Sequence, residues 1–313
     1  MNDRRLLVTL PGSTLLDAVN AEGGFPDDVD VALWDLDSPP PAAEIDLVVP
    51  PYMGSSAKLG ALAGVRTRLV QSQSIGYDDV AANLPAGHVF ANAASVHETS
   101  TAELALALIL AAQRGIPEFV RAAVEGRWAP ERRASLADRR VLLLGTGGVG
   151  QAIEDRLAPF EVALTRVASR ARDDDRGHVH GIDELPDLLP RAEIVIVGVP
   201  LTHATTGLVD AAFLAALPDG ALVVNIARGR VADTAAILAE AASGRLRFAL
   251  DVTDPEPLPE GHPLFALPNV LISPHVGGAS TAMMPRMARL VRRQVKRMLA
   301  GDEPVNVVLG ADR

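Results

Sequence analysis

Four polar side chains in the last third of the chain stand at or just beyond the ends of apolar runs. They are Arg228 in "VVNIARGRV", Asp251 in "FALDV", Glu256 in "DPEP" and His275 in "VLISPHVGG". A planar guanidinium at a strand end can grip a carboxylate through two parallel hydrogen bonds. Arg230, two residues on, suits a surface ion pair better. Asp251 can accept from a carboxamide, such as that of a nicotinamide, or cap a loop. Glu256 lies between Pro255 and Pro257, which restrict its backbone and so aim its carboxylate. A carboxylate beside an imidazole stabilises the charged ring and makes it a proton donor near neutral pH. Glu256 is the expected partner of His275. A metal would need several histidines or carboxylates together. His203 and His262 lie in separate loops, so no metal is expected.

Upstream, "VLLLGTGGVGQAIEDRL" places Gly145, Gly147 and Gly150 in G-x-G-x-x-G spacing after an apolar strand and at the start of a helix. The spacing alone is weak, but this context is the one the motif requires. Gly145 permits a tight turn, Gly147 admits a pyrophosphate to the backbone, and Gly150 lets helix and strand pack closely. The helix start then offers free N–H groups to the phosphates. A dinucleotide site is expected. An NAD site commonly carries an acid about 20 residues on, bonded to the ribose hydroxyls. Ala168 stands there instead, followed by Ser169, Arg170 and Arg172. A hydroxyl and two guanidiniums suit a 2′-phosphate, so NADP(H) is favoured and NAD(H) is possible. Asp173 to Asp175 oppose this reading if they fold back onto the arginines.

These residues need a parallel sheet to bring them to one edge. Short aliphatic runs alternate with helical patterns, as in βαβ units. "RLLVTL", "VDVALWD", "IDLVVPP", "TRLVQSQS" and "HVFANAA" read as strands of a first series, with "SAKLGALAGV" helical between them. A second series opens with the helix "TAELALALILAAQRG" and continues through "RRVLLLG", "VALTRVAS", "AEIVIVGVP", "GALVVNIA", "LRFALDV" and "NVLISPH". In "TAMMPRMARLVRRQVKRMLAG" the apolar residues recur at helical spacing, and the arginines read as its solvated face. The 313 residues favour two domains. Net charge is −10, which disfavours nucleic acid and anionic membranes as partners. The absence of cysteine excludes disulfides and thiolate chemistry. No secretory leader or membrane span is expected, which points to the cytoplasm.

The sequence resembles the D-isomer-specific 2-hydroxyacid dehydrogenases over nearly its whole length. "TAELALALILAAQRG", "GTGGVG", "VPLTHATTGLVD", "LVVNIARGRVAD", "LDVTDPEPLPEGHPLFALPNVLISPHVGGAST" and "EPVNVV" occur in the family's order. The resemblance implies an α/β protein of two Rossmann-like or flavodoxin-like domains with parallel sheets and a cleft between them. Residues 1–98 with 280–313 would form the substrate domain and 99–279 the dinucleotide domain. It implies that Arg228 binds the substrate carboxylate and carbonyl, and that His275, paired with Glu256, is the acid/base. Asp251, Ile226 and Ala227 would hold the nicotinamide end. Gly148, Val149, Val199, Pro200, Thr205, Gly277 and Gly278 would complete the dinucleotide site. Ser74, Ile75 and Gly76 would offer backbone N–H groups to the substrate, with Met53 at the pocket wall. Gly148 departs from the family, which commonly has a larger residue there. The absent acid at Ala168 is similar to the NADP-preferring glyoxylate and hydroxypyruvate reductases. The implied reaction is reduction of a small 2-oxo acid to the D-2-hydroxy acid, in a homodimer joined through the cofactor domains. A phosphoglycerate-type dehydrogenase, a formate-type dehydrogenase and a non-catalytic dinucleotide-sensing corepressor are the rival expectations.

Overall fold

The computed structural model describes residues 5–310. The first four and last three residues, which the sequence reading puts in the substrate domain, lie outside that range. The chain divides into two compact units. One runs to His97 and resumes at Ser280; the other spans Glu98–Ala279.

The first unit is built on strands β1 (Leu6–Leu10), β2 (Val29–Leu33), β3 (Glu44–Val48), β4 (Arg66–Gln71) and β5 (Phe90–Ala91), with helices α1 (Ser13–Ala21) and α2 (Val80–Asn83). The sheet order is β2-β1-β3-β4-β5, all parallel, the doubly wound flavodoxin-like order. Aliphatic residues on both faces, such as Val8, Leu10, Leu47, Val48, Leu69 and Val70, are fully buried, as a helix-covered parallel sheet requires. The expected helix at "SAKLGALAGV" is a 3₁₀ stretch, Ser55–Leu62.

The second unit contains α3 (Glu98–Arg114), α4 (Ile116–Val124), β6 (Arg140–Leu144), α5 (Gly148–Leu157), β7 (Ala163–Ala168), β8 (Arg172–Asp174), β9 (Gly177–Gly181), α6 (Leu185–Leu188), β10 (Ile194–Val197), α7 (Ala211–Ala215), β11 (Leu222–Asn225), α8 (Thr234–Ser243), β12 (Arg247–Leu250) and β13 (Val270–Ile272). Its sheet runs β13-β12-β11-β10-β6-β7-β9-β8. Only β8 is antiparallel to its neighbour. Strand order reverses between β6 and β10, the switch point where open α/β sheets bind ligands outside the strands' carboxyl ends. Both faces are apolar: β10, "IVIV", is buried at every residue. Helix α3, the helix expected at "TAELALALILAAQRG", supports one face with Ala102, Ala105, Leu106 and Ile109. Helix α8 starts at Asp233, whose carboxylate accepts from the N–H groups of Ala235 and Ala236, and ends at left-handed Gly244.

The chain then returns to the first unit with α9 (Met283–Ala300) and β14 (Val307–Leu309), which pairs antiparallel to β5. Met283, Met287, Leu290, Val291 and Val295 of α9 enter the core, and its arginines face outward, as the spacing requires. Arg289 pairs with Glu22 of the first unit's surface. Several elements are absent from the sequence reading, among them three strands. The β8–β9 hairpin is too polar to register as strands, and β14 is only three residues long. No helix among the described residues is long and apolar enough to cross a membrane.

Candidate active site

Parallel strands deliver the candidate side chains to one edge of the second sheet. Arg228, Asp251 and His275 follow the ends of the adjacent strands β11, β12 and β13. The glycine loop follows β6, and Val199 and Pro200 follow β10.

A set of hydrogen bonds fastens the catalytic candidates to one another. Asp251 is buried, and its carboxylate accepts from the Ser273 hydroxyl (2.7 Å), the Val276 N–H (2.9 Å) and the Gly277 N–H (2.9 Å). Its backbone carbonyl accepts from the His275 N–H at 2.7 Å. Asp251 therefore clamps the turn that presents His275, which itself takes a left-handed backbone, φ 53°. The imidazole Nδ1 then meets Glu256 Oε1 at 2.5 Å, the pairing expected from sequence. That contact commits Nδ1 and leaves Nε2 for another partner.

Glycine at 229 brings the Arg228 loop to the same place. A Cβ there would lie 1.8 Å from the Thr253 carbonyl oxygen, so only glycine lets these two backbones touch. Asn225 brackets Arg228: its Oδ1 accepts from the Ala227 N–H (3.0 Å) and its Nδ2 donates to the Arg228 carbonyl (3.1 Å). Thr253 and Thr234 hold the loop before Glu256, donating to the carbonyls of Pro255 (2.9 Å) and Asp254 (2.6 Å). Asn225, Ser273 and Gly229 are missing from the sequence reading. Asn225 leaves one signal there, a lone amide ending an otherwise aliphatic strand.

The glycine loop fits a dinucleotide. Gly145 has φ +103°, and a Cβ on it would lie 2.5 Å from the Gly198 carbonyl oxygen, against the segment entering Val199. A Cβ on Gly150 would lie 2.0 Å from the Gly145 carbonyl oxygen, so α5 packs directly on the turn. A Cβ on Gly147 would meet nothing within 4 Å, and α5 starts there with no side-chain cap. Two glycines are thus demanded by internal packing. The third leaves open backbone at a helix start, where phosphate oxygens bind well. Gly148 has a physical reason for its small size: a Cβ there would lie 3.1 Å from the Glu98 side chain, which already fills that space.

Ser169 and Arg170 are exposed just after β7. Arg172 reaches back from β8 to donate to the Thr146 hydroxyl of the glycine loop at 2.7 Å. Two of the three acids that could oppose these arginines have other partners. Asp174 accepts from buried Arg166 (2.9 and 3.2 Å), and Asp173 faces His178 (2.9 Å). Hydrogen bonds from the Arg166 side chain and the Arg176 N–H hold the Asp174 carboxyl below the usual carboxylate range. Thr205 donates to the Pro200 carbonyl at 2.6 Å and so shapes the turn after β10.

Gly277 is closely surrounded. Its Cβ position lies 3.0 Å from an Asp251 carboxylate oxygen and 3.3 Å from Thr101 on α3. Its small size serves packing inside its own unit.

The substrate-side candidates belong to the first unit. Met53 is exposed in the segment after β3, and Ser74, Ile75 and Gly76 are half-buried after β4. The Ser74 and Ile75 carbonyls accept from the Ala93 N–H (2.9 Å) and the Asn92 amide (3.0 Å). The Ser74 N–H donates to the Ser72 hydroxyl at 2.9 Å, so it is already engaged.

A switch-point glycine loop with an arginine, an acid and a carboxylate-paired histidine at neighbouring strand ends defines a dinucleotide-dependent α/β oxidoreductase. Residues 106–277 match the family described as D-isomer specific 2-hydroxyacid dehydrogenase, NAD binding domain. Human glyoxylate reductase/hydroxypyruvate reductase is 31% identical over 293 residues, covering 88% of this chain and 89% of that one. D-3-phosphoglycerate dehydrogenase of Mycobacterium tuberculosis (strain ATCC 25618 / H37Rv) is 34% identical over 259 residues, 78% of this chain but 48% of that one. The crystal structure of a D-isomer specific 2-hydroxyacid dehydrogenase from Xanthobacter autotrophicus Py2, in complex with NADPH and MES, has a TM-score of 0.78 at 32% identity. It covers 97% of this chain and 98% of that one. The chain belongs to the D-isomer-specific 2-hydroxyacid dehydrogenase family and is an oxidoreductase acting on a CH–OH group.

Proposed function

We propose that this enzyme reduces a small 2-oxo acid of the glyoxylate or hydroxypyruvate type to the D-2-hydroxy acid, with NADPH preferred over NADH. The observation that carries the reading is the 2.5 Å contact of His275 Nδ1 with Glu256. It orients the ring so that Nε2 can serve a substrate.

When bound, the reduced nicotinamide supplies the hydride to the carbonyl carbon. Arg228 holds the substrate carboxylate and stabilises the negative charge that develops on the carbonyl oxygen. Such an aimed donor is worth about 3–4 kcal/mol of barrier. His275 passes its Nε2 proton to that oxygen, and Glu256 balances the charge on the ring beforehand. The products are the 2-hydroxy acid and a neutral imidazole, which takes up a proton from water for the next cycle. Asp251, Ile226, Ala227 and the stretch from His275 to Gly278 hold the nicotinamide end, and Asp251 also keeps the His275 turn in place. Gly145 to Gly150 hold the pyrophosphate, with Val199, Pro200 and Thr205 alongside. The Ile75 and Gly76 N–H groups, with Met53 nearby, serve the substrate. The Ser74 N–H joins them only by leaving the Ser72 hydroxyl.

For the cofactor preference, Ser169, Arg170 and Arg172 would bind the 2′-phosphate. Exposure of the arginines and the engagement of Asp173 and Asp174 elsewhere support this. The NADPH complex of the Xanthobacter relative also supports it. A homodimer is supported by an apolar stripe along α4. On it Ile116, Val120 and Val124 recur every four residues and are 48%, 58% and 85% exposed, and Trp128, just beyond the helix, is 95% exposed. A second copy of the chain is the proposed cover, and the cytoplasm the proposed location.

The test follows nicotinamide absorbance with a panel of 2-oxo acids, using NADPH and NADH in turn, and with phosphoglycerate, using NADP⁺ and NAD⁺ in turn. Turnover fastest with glyoxylate or hydroxypyruvate and NADPH is expected. His275→Ala is expected to lose turnover by roughly 10²–10⁴-fold while still binding NADPH. Phosphoglycerate oxidation as the fastest reaction would overturn the substrate, and near-normal turnover by the variant would overturn the mechanism.

A further inference from the structure

The β8–β9 hairpin carries a cluster of ionisable side chains that the proposed reaction does not use. His178 and His180 sit two residues apart on β9, so both project from one face of the strand. Asp173 is the register partner of His178 on β8 and belongs to the same face. Glu184 arrives from the 3₁₀ turn Ile182–Glu184 that follows β9. The two imidazoles pack edge to face, with ring centroids 4.6 Å apart.

Each imidazole is oriented by a carboxylate. His178 Nδ1 meets Asp173 Oδ1 at 2.9 Å, and His180 Nδ1 meets Glu184 Oε2 at 2.7 Å. The second Glu184 oxygen accepts from the Gly181 N–H at 2.7 Å, so this carboxylate is anchored at both ends. Imidazoles positioned by carboxylates are the usual surroundings of a bound transition metal. With neutral imidazoles the four side chains carry two negative charges, the complement of a dication. The nearby arginines are already satisfied: Arg166 pairs with Asp174 and Glu154, and Arg176 with Asp155 and Glu154.

We propose that His178, His180 and Glu184 form a binding site for a divalent transition metal of the zinc class, with Asp173 orienting His178. One ligand atom from each of the three lies within 4.8 Å of the other two. Ligands about 2.0–2.1 Å from a tetrahedral zinc lie roughly 3.4 Å apart. Modest side-chain rotations therefore bring these atoms onto one ion. His178 binds through Nε2, since Asp173 holds its Nδ1. The ion takes the place between His180 and Glu184 now spanned by their hydrogen bond, and water completes the shell. The expectation of no metal rests on His203 and His262 and does not reach this pair. The ion ties β9 to the turn after it, so its role is to brace the sheet edge. The proposal is independent of the substrate and cofactor reading.

The test uses the full chain, stripped with chelator and titrated with Zn²⁺ by calorimetry, with thermal melting measured with and without Zn²⁺. One Zn²⁺ per chain and a higher melting temperature are expected. His178→Gln with His180→Gln should weaken binding at least tenfold and abolish the thermal shift. His178→Gln alone, at a half-exposed side chain that the fold does not need, should weaken binding by a similar factor. Since His275 and Glu256 form another imidazole–carboxylate pair, His275→Gln is the control and should leave binding intact. No saturable binding to the wild-type chain, binding that survives both substitutions, or binding lost in His275→Gln would each overturn the site.

Discussion

The loops that end β11, β12 and β13 are fastened mainly through contacts to backbone groups. Gly229 lies against the Thr253 carbonyl, the Asp251 carboxylate collects two N–H groups and a hydroxyl, and Asn225 brackets Arg228. The segment after β7 is built differently. Ser169, Arg170 and Arg172 are exposed, and the hairpin that carries Arg172 is held by side-chain ion pairs around Arg166. A proton-transfer geometry tolerates little displacement, and backbone contacts provide that rigidity. Discrimination of one phosphate needs only flexible cations within reach. The contrast teaches that this sheet edge fixes the chemistry and leaves the cofactor preference adjustable.

Gly229→Ala attacks the rigid side most directly. The added methyl has no room beside Thr253, so the Arg228 and Glu256 loops must part. We expect turnover to fall on the order of 10³-fold, as for loss of an aimed donor. Overpacking should also destabilise the fold by about 1–3 kcal/mol, measured by denaturant titration. Wild-type turnover in a well-folded Gly229→Ala chain would show that backbone fastening is not what sets the geometry.

Glu256→Gln is a milder break at the same place. A glutamine oxygen can still accept from Nδ1, but it brings no negative charge to the ring. A loss in kcat/KM on the order of 10²-fold is expected, with NADPH affinity unchanged in a fluorescence titration. An equal loss in cofactor affinity would mean that Glu256 shapes the dinucleotide site rather than the imidazole.

The same contrast explains which features were legible in the sequence. Arg228, Glu256 and His275 were readable because their residue types are unusual at the ends of aliphatic runs. The parallel sheets were readable because strands such as "IVIV" are apolar on both faces. The supports were not. Asp251 reads equally well as a ligand contact or a loop cap, and only coordinates reveal three donors converging on it. The packing at Gly277 was hidden for the same reason: Thr101, far away in sequence, fills its Cβ space. The β8–β9 hairpin escaped notice because "RDD" and "GHVHG" lack apolar alternation. It pairs through backbone and is pinned by one buried arginine.

On the adjustable side, Arg172→Ala should raise KM for NADPH by about 10–100-fold, since one charge-assisted bond to a phosphate is worth roughly 1.5–3 kcal/mol. KM for NADH and kcat should hardly move. Equal losses with both cofactors would sink the comparison, because Arg172 would then be supporting the glycine loop through Thr146.

The smallest expected effect lies in the ion pairs behind that hairpin. Hydrogen bonds from Arg166 and the Arg176 N–H lower the Asp174 carboxyl pKa in the folded chain. A carboxyl whose folded pKa lies below its unfolded value, about 3.9, adds stability at higher pH. That contribution is complete above the unfolded pKa and fades as pH falls through the folded one. Asp174→Asn should therefore melt slightly below wild type at pH 7, with the gap closing below about pH 4. Asp174 is exposed to water, so the gap should be small at any pH. A gap independent of pH would mean that Asp174 acts by shape, through its hydrogen bond to the Arg176 N–H, and not by charge. The hairpin would then be as rigidly built as the catalytic loops, and the comparison would lose one of its sides.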